Sequence, residues 1–155
     1  MVRKSAGLLL YRRGGGGTEV FLVHPGGPIW AGRDAGAWSI PKGEFGPEED
    51  PLGAARREFA EETGSELRAK SGFIPLKPVR QKNSKLVYAW AVEGDADASA
   101  VASNTFSIEW PPRSGVTREF PEIDRAQWFT IEEAREKIFD GQVGLLDELE
   151  KILSV

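Results

Sequence analysis

The sequence predicts one α/β or α+β domain over residues 1–155, built on a mixed sheet. Apolar, β-favouring runs recur along the chain, and two helices with clear start signals are interleaved with them. No linker or internal repeat divides the chain. With 155 residues, of which 40% are hydrophobic, the chain is long and apolar enough for one core, so a second domain is not expected.

Composition and charge exclude several classes of function. The net charge of −4 gives no basic excess of the kind that nucleic-acid-binding proteins carry. The chain has no cysteine, which rules out disulfides, thiolate catalysis and cysteine zinc sites. The apolar run at residues 6–11 is too short for a signal-peptide core, and no run approaches the roughly 20 residues of a membrane span. We therefore expect a soluble cytoplasmic protein that binds neither membranes nor nucleic acids.

The first predicted element is a β-hairpin. "SAGLLLY" (5–11) and "TEVFLVH" (18–24) are β-favouring runs, and a glycine-rich link joins them. A glycine run can indicate a phosphate-binding loop, but that loop ends in Gly-Lys-Ser/Thr and opens a helix, whereas a strand follows here. Gly14–Gly17 is therefore interpreted as the hairpin tip. Residues 25–49, rich in Gly and Pro, are predicted to be loop.

The next predicted element is a helix that begins at Pro51. Asp50 is a favourable N-cap, Pro51 fits the first helical position, and Gly64 suits the left-handed turn that ends a helix. An apolar stripe with i, i+3, i+7 spacing predicts the face of this helix that packs on the core. The stripe consists of Leu52, Ala55 and Phe59.

The second half of the chain alternates strands with loops and ends in helices. Strands are predicted for "KLVYAWAV", "TFSIEW" and "AQWFT", and polar loops separate them, the longest at residues 111–124. Thr130 is predicted to cap a helix that begins at Ile131, since Glu132 and Glu133 lie in its first turn. "LLDELEKIL" predicts a short amphipathic helix at the end of the sequence.

The helix from Pro51 carries a cluster of acidic residues on a second face. Glu61 and Glu62 follow Glu58 by three and four positions, so the three carboxylates project within one turn. Like charges at this spacing destabilise an isolated helix by roughly 0.2–0.5 kcal/mol per pair. They also lie away from the N-terminal turn, where the helix dipole would favour them. The arrangement is therefore unfavourable unless a cation compensates for the charge.

Two explanations of this cluster remain open at the level of the residues. Arg57 can pair with Glu61 or reach back to Glu49, which would make the cluster a solvated acidic face with ordinary ion pairs. Alternatively, the carboxylates and a carbonyl of the preceding loop hold a hard divalent cation, since Mg²⁺ and Mn²⁺ prefer oxygen ligands. Zinc is disfavoured, because the chain has one histidine and no cysteine.

The stretch "GEFGPEEDPLGAARREFAEETG", residues 43–64, resembles the Nudix box. That motif consists of Gly, five residues, Glu, seven residues and then Arg-Glu-apolar-x-Glu-Glu-x-Gly. Ser65 departs from the aliphatic residue that usually follows, which affects packing behind the helix and removes no metal ligand. The eight specified positions, spread over 22 residues, are matched by Gly43, Glu49, Arg57, Glu58, Phe59, Glu61, Glu62 and Gly64.

This resemblance implies an α/β/α sandwich and a hydrolase that cleaves a phosphoanhydride in a nucleoside diphosphate-linked compound. The implied cofactor is Mg²⁺ or Mn²⁺. Glu49 and Arg57 are expected to pair, so that they brace the loop against the helix. The implied metal ligands are the Gly43 carbonyl, Glu58, Glu61 and Glu62.

The box alone does not identify the residue that acts as general base. Glu58 is one candidate, but in several members of the family a glutamate from a later loop takes this role, and the chain offers Glu119 and Glu122. Glu122 lies six residues before Trp128, a spacing similar to that of the dinucleoside polyphosphate branch, so it is preferred to Glu119. The predicted catalytic residues are Glu58, Glu61 and Glu122.

Residues outside the box suggest the substrate. Trp38 and Lys42 in "WSIPKG" are similar to the lead-in of diadenosine and diphosphoinositol polyphosphate hydrolases, and Lys85 and Tyr88 resemble a strand of the same branch. A lysine just before the metal loop can contact a phosphate beyond the reach of the metal. Arg113, beside a double proline in "EWPPRSG", is a further candidate for binding phosphate. These five residues are the predicted substrate contacts.

The leading hypothesis is hydrolysis of a dinucleoside polyphosphate of the Ap4A type. A nucleoside triphosphate pyrophosphohydrolase is the alternative substrate class, because contacts in the pocket decide between them. Two alternatives are not enzymes: a protein that binds a nucleotide without cleaving it, and a scaffold whose acidic helix binds a basic partner. The predicted partner is a small nucleotide or polyphosphate, and the oligomeric state stays open. His24, the only histidine, is predicted to be structural.

Overall fold

The computed structural model describes residues 3–82 and 85–154. The strands in these ranges are β1 (Arg3–Gly14), β2 (Gly17–Pro25), β3 (Lys42–Glu44), β4 (Arg68–Ala69), β5 (Ile74–Pro75), β6 (Val79–Gln81), β7 (Lys85–Asp95), β8 (Thr105–Glu109), β9 (Thr117–Pro121) and β10 (Ile123–Thr130). The helices are α1 (Pro51–Thr63), α2 (Ile131–Lys137) and α3 (Val143–Leu153). None of these three helices has the length and apolar character needed to cross a membrane.

Strand β1 organises the sheet, because it pairs with three other strands. One half of β1 pairs antiparallel with β2 across the glycine turn, and the other half pairs antiparallel with β3. Its opposite edge pairs with β7 in parallel, from Arg3 with Lys85 to Tyr11 with Glu93. β10 extends the sheet beyond β2, while β4, β5 and β6 pair with β7. The predicted hairpin and the mixed sheet are confirmed.

Two hydrophobic cores form, one on each face of the sheet. Alternation along β1 sends Leu9 to one face and Leu8 to the other. The Leu9 face is covered by α2 and α3, with Leu145 buried in this core. The Leu8 face is covered by α1, which contributes Phe59. Helices on both faces of a mixed sheet make three layers, so the predicted α/β/α sandwich is confirmed.

Helix α1 begins and ends where the sequence predicts. The Asp50 side chain accepts a hydrogen bond from the Gly53 N–H at 2.8 Å, and Pro51 is the first helical residue. Gly64 ends the helix in the left-handed conformation, with φ of 66°. A Cβ at Gly64 would also lie 2.4 Å from the Ala102 carbonyl oxygen, so glycine is required there for two reasons.

Helices α2 and α3 also follow the prediction. Glu133 N donates to Thr130 Oγ1 at 3.2 Å, and Thr130 N donates to Glu133 Oε1 at 2.9 Å, which completes a capping box. Helix α3 covers the predicted amphipathic segment and buries Leu145, Leu146 and Leu149.

Two segments predicted as loop form strands instead. Residues 42–44 pair with β1, although Lys-Gly-Glu contains no β-favouring residue. Residues 117–121, inside the predicted loop at 111–124, pair with β8 in a separate two-stranded ladder. Phe106 and Phe120 lie opposite each other in this ladder, with ring centroids 6.1 Å apart. For residues 42–44 the partner strand supplies stabilisation that local propensity does not.

We expect Phe59→Ala to lower the free energy of unfolding by about 3 to 5 kcal/mol. The Phe59 side chain is 1% exposed and its ring centroid lies 5.8 Å from that of Phe21, so truncation leaves a cavity beneath α1. Urea unfolding followed by circular dichroism measures the loss. Phe73→Ala is the matched control, because the same truncation at a half-buried ring removes fewer contacts. Equal losses in the two variants would contradict the assigned role of Phe59.

Candidate active site

Gly43 of β3 and Glu58 of α1 lie in direct contact. A Cβ built on Gly43 would lie 1.9 Å from Glu58 Oε2, so only glycine leaves room for the carboxylate. The Glu58 side chain is 14% exposed. Burial, and then the negative charge of Glu61, raises the pKa of Glu58. The fold therefore places the mostly buried carboxylate of Glu58 against the backbone of β3.

Arg57 binds two other glutamates of the acidic cluster. Its Nε and Nη2 donate to the two carboxylate oxygens of Glu49 at 2.8 and 2.9 Å. Its Nη1 donates to Glu61 Oε2 at 3.1 Å. The hydrogen bond from Arg57 lowers the pKa of Glu49. The predicted pairing of Glu49 with Arg57 is confirmed, and it ties the loop before α1 to the helix.

Glu62 is directed toward the backbone of β3. Its Oε1 accepts a hydrogen bond from the Lys42 backbone N–H at 3.1 Å. Burial raises the pKa of the Glu62 carboxyl to about 8, although this hydrogen bond and the Lys42 ammonium act in the opposite direction. Sequence reasoning missed this donor, because a backbone N–H carries no signal in the sequence.

Neighbouring residues of a strand point to opposite faces of the sheet. The Cβ position of Gly43 points toward Glu58 on α1, so the Lys42 side chain lies on the other face. A Cβ built on Gly7 would lie 2.7 Å from the Cβ of Lys42, so these two residues project to the same side of the sheet. Burial, and then the positive charge of Lys85, lowers the pKa of the Lys42 ammonium to about 8. Lys42 and Lys85 therefore form a pair of neighbouring cations.

Glu122 lies beside the acidic cluster, immediately before β10. Its negative charge contributes to the raised pKa of both Glu58 and Glu62. Its backbone is held on both sides, since the Glu122 carbonyl accepts the Gly26 N–H at 2.8 Å and the Glu122 N–H donates to Asn104 O at 2.8 Å. Sequence reasoning missed Gly26 and Asn104, because both act through backbone atoms.

Glu119 and Arg113 belong to the β8–β9 ladder and its connecting turn. Glu119 accepts a hydrogen bond from Thr105 Oγ1 at 2.7 Å, and Arg113 adopts a left-handed φ of 62° in the turn. Within residues 3–82 and 85–154, neither forms a hydrogen bond or ion pair with the glutamates of α1. Of the two late glutamates, Glu122 has the closer electrostatic coupling to Glu58.

Trp38 is not placed to contact a substrate, so that prediction is wrong. Its side chain is 1% exposed, its ring packs edge-on against Phe129 with centroids 4.9 Å apart, and its Nε1 donates to Asp34 at 2.8 Å. A ring enclosed in the core offers no face to a ligand. Tyr88 is half-buried on the face of the sheet that carries α1, and its ring lies edge-on to Phe45.

The chemistry of the donor set suits a hard divalent cation. The candidate ligands are all oxygens, from the Gly43 carbonyl and from carboxylates, which Mg²⁺ and Mn²⁺ prefer. The raised pKa of Glu58 and of Glu62 indicates that burial and crowding disfavour their charged forms, a penalty that a bound cation removes.

The carboxylates are nevertheless held by protein donors rather than gathered at one point. In the two described ranges, no three acidic or histidine side chains converge closely enough to form a ready-made metal site. Arg57 holds Glu61, and the Lys42 N–H holds Glu62. Each of these two hydrogen bonds engages one oxygen of its carboxylate, so neither excludes ligation through the other oxygen.

Comparison with known proteins identifies relatives in fold. The crystal structure of a C. elegans Ap4A hydrolase binary complex is 24% identical, with a TM-score of 0.66, over 97% of this chain and 98% of that chain. The crystal structure of C. elegans Ap4A hydrolase is 21% identical, with a TM-score of 0.60, over 100% of both chains. The solution structure of the E. coli ORF135 protein is 17% identical, with a TM-score of 0.58, over 99% and 93%. No curated protein sequence matches significantly.

The family model of the NUDIX domain matches residues 1–149. Nudix hydrolases act on small-molecule nucleotide substrates and generally use divalent metal ions. The motif recognised in the sequence is also coherent in space, because Gly43, Glu58 and Glu62 meet where α1 faces β3. The chain therefore belongs to the Nudix family and is a hydrolase that acts on pyrophosphate bonds.

Proposed function

We propose that this protein hydrolyses a phosphoanhydride of a dinucleoside polyphosphate, with Mg²⁺ or Mn²⁺ as its cofactor. The contact of Glu58 with Gly43 carries the proposal, because it places a carboxylate whose charged form is disfavoured by burial against the backbone of β3. A cation relieves that cost, whereas core packing does not. The proposed ligands are the Gly43 carbonyl, Glu58, Glu61 and Glu62.

The side chains around this position have different roles in the proposal. A divalent cation bound at these oxygens would neutralise negative charge on the pyrophosphate and lower the pKa of the water bound to it. Glu122 accepts the proton of the attacking water, since its carboxylate is exposed and coupled to Glu58. Arg57 keeps Glu49 and Glu61 in place and thereby orients the acidic face of α1.

Two observations support a substrate with a long phosphate chain. Lys42 and Lys85 place neighbouring cations close to the acidic cluster, which suits phosphate groups beyond those next to the metal. The shared fold of the C. elegans Ap4A hydrolase is compatible with such a substrate. Tyr88, half-buried beside Phe45, and Arg113, exposed in its turn, are proposed as further contacts.

Glu58→Gln and Glu62→Gln are expected to fold and to lose about 100-fold or more of turnover, equivalent to roughly 3 kcal/mol of activation free energy. An amide keeps the size of the side chain but is a poorer ligand for a hard cation. Steady-state kinetics with diadenosine tetraphosphate and Mg²⁺ measure the loss. Glu66→Gln, on an exposed side chain after α1, is the matched control and should keep wild-type turnover. Full activity in either box variant would contradict the metal assignment.

Gly43→Ala is expected to abolish most of the rise in Tm that Mg²⁺ causes, because the new methyl group displaces the Glu58 carboxylate. Thermal unfolding with and without Mg²⁺ measures this rise. Gly46→Ala is the control, since nothing lies within 4 Å of its Cβ position. Equal Tm shifts in the two variants would show that contact with Gly43 does not matter for the cation.

Product analysis tests the substrate class. Purified protein is incubated with diadenosine polyphosphates, nucleoside triphosphates, ADP-ribose or diphosphoinositol phosphates, in Mg²⁺, in Mn²⁺ or in excess chelator. We expect cleavage of the diadenosine polyphosphates that is lost in chelator. Preference for a nucleoside triphosphate would replace the proposed substrate. Binding of nucleotide without cleavage of any compound would identify a sensor instead.

A further inference from the structure

His24 is buried and is bound through both ring nitrogens. At the end of β2 it has 0% exposure, its Nδ1 lies 2.8 Å from Asp124 Oδ1, and its Nε2 lies 2.6 Å from the Arg33 carbonyl oxygen. The ring packs edge-on against Trp38, with centroids 5.1 Å apart. The side chain therefore joins β10 to the loop of residues 26–37.

Both hydrogen-bond partners of the ring are acceptors. A backbone carbonyl only accepts, so Nε2 carries a hydrogen. The Asp124 side chain is 31% exposed, and Arg125 Nε lies 3.7 Å from the same Oδ1, so this oxygen faces a guanidinium, which only donates, as well as the ring. An ionised carboxylate accepts and does not donate, so Nδ1 of His24 carries a hydrogen as well.

Asp124 reaches the ring because β10 is irregular at this residue. Ile123 pairs with Pro25 and Arg125 pairs with His24, which leaves Asp124 as the extra residue of a bulge. Bulges redirect side chains, and this one turns the carboxylate of Asp124 toward His24.

The same part of the fold holds the backbone of Glu122. The Gly26 N–H donates to the Glu122 carbonyl at 2.8 Å, and a Cβ at Gly26 would lie 2.0 Å from the Pro121 carbonyl oxygen. Gly26 follows His24 by two residues, and Glu122 precedes Asp124 by two. The chain segments that His24 joins are therefore the segments that position Glu122.

We propose that His24 is a doubly protonated imidazolium that positions Glu122. Its ion pair with Asp124 fixes β10 next to Glu122, and its hydrogen bond to Arg33 O fixes the loop that begins at Gly26. The role of Glu122 rests on the proposed function, whereas the charge of the ring does not. His24 touches no reacting atom in this scheme, so it is a positioning residue.

The charge of the ring is tested by ¹⁵N NMR of tag-free protein near neutral pH. The single histidine should give one ring spin system in which both nitrogens carry a hydrogen. In Asp124→Asn the new amide can donate to Nδ1, so a neutral ring protonated only at Nε2 is expected. A wild-type ring with one hydrogen would overturn the imidazolium assignment.

The positioning role is tested with His24→Asn, whose shorter side chain cannot reach both partners. We expect kcat to fall about 10- to 100-fold with KM within about twofold, because a displaced base slows the reaction without weakening binding. The rise in Tm with Mg²⁺ should persist, since Glu58 and Gly43 are untouched. Amide hydrogen exchange at Gly26 and Glu122 should accelerate more than exchange within β2 and β10.

Leu149→Ala is the control for general destabilisation, because Leu149 is buried in α3 and should leave exchange at Glu122 in line with the rest of the sheet. If His24→Asn does not fold, amide hydrogen exchange at Gly26 and Glu122 is measured in Asp124→Ala instead, with the same expected result. Unchanged kcat together with unchanged exchange at Glu122 would overturn the positioning role. If wild-type protein cleaves none of the compounds tested, the proposed function fails separately, and NMR and exchange still decide the assignment of His24.

Discussion

The packing of α1 against β3 is the constraint on which the site depends. Burying one phenylalanine such as Phe59 contributes about 1.5–3 kcal/mol, whereas each exposed like-charge pair on a helix costs roughly 0.2–0.5 kcal/mol. The core therefore holds the helix in place despite repulsion among its glutamates. Arg57 and the Lys42 N–H then take up two of the carboxylates, and the missing side chain of Gly43 admits the third.

Elements marked by their own residues, such as a helix cap or a glycine turn, could be predicted from the sequence. Elements that depend on pairing with a strand elsewhere in the chain could not. Caps and glycine turns located the hairpin, α1 and α2, and an amphipathic pattern located α3, but β3 and β9 exist because β1 and β8 pair with them. Helical spacing brought Glu58 and Glu62 together, yet the direction of Glu62 depends on a backbone donor. Trp38 was misassigned because the resemblance of "WSIPKG" to the lead-in of one hydrolase branch carries no information about burial, and this side chain packs in the core.

The three residues of β3 serve both faces of the sheet. Gly43 faces α1, while the side chain of Lys42 leaves on the other side, near Lys85. In the proposed function, a polyphosphate that reaches the acidic cluster and these lysines at once has to cross the edge of β3. A strand without β-favouring residues is suited to that position, because its backbone and its short central residue let charged groups approach closely.

The central place of β1 affects how the chain is made. Arg3 pairs with Lys85, a separation of 82 positions, so β7 is translated long after β1. β2 emerges soon after β1 and covers part of one edge, but the other edge of this apolar strand has no partner until residue 95 has left the ribosome. Nascent chains are therefore most prone to self-association during that interval, when chaperones that bind extended apolar segments have their target.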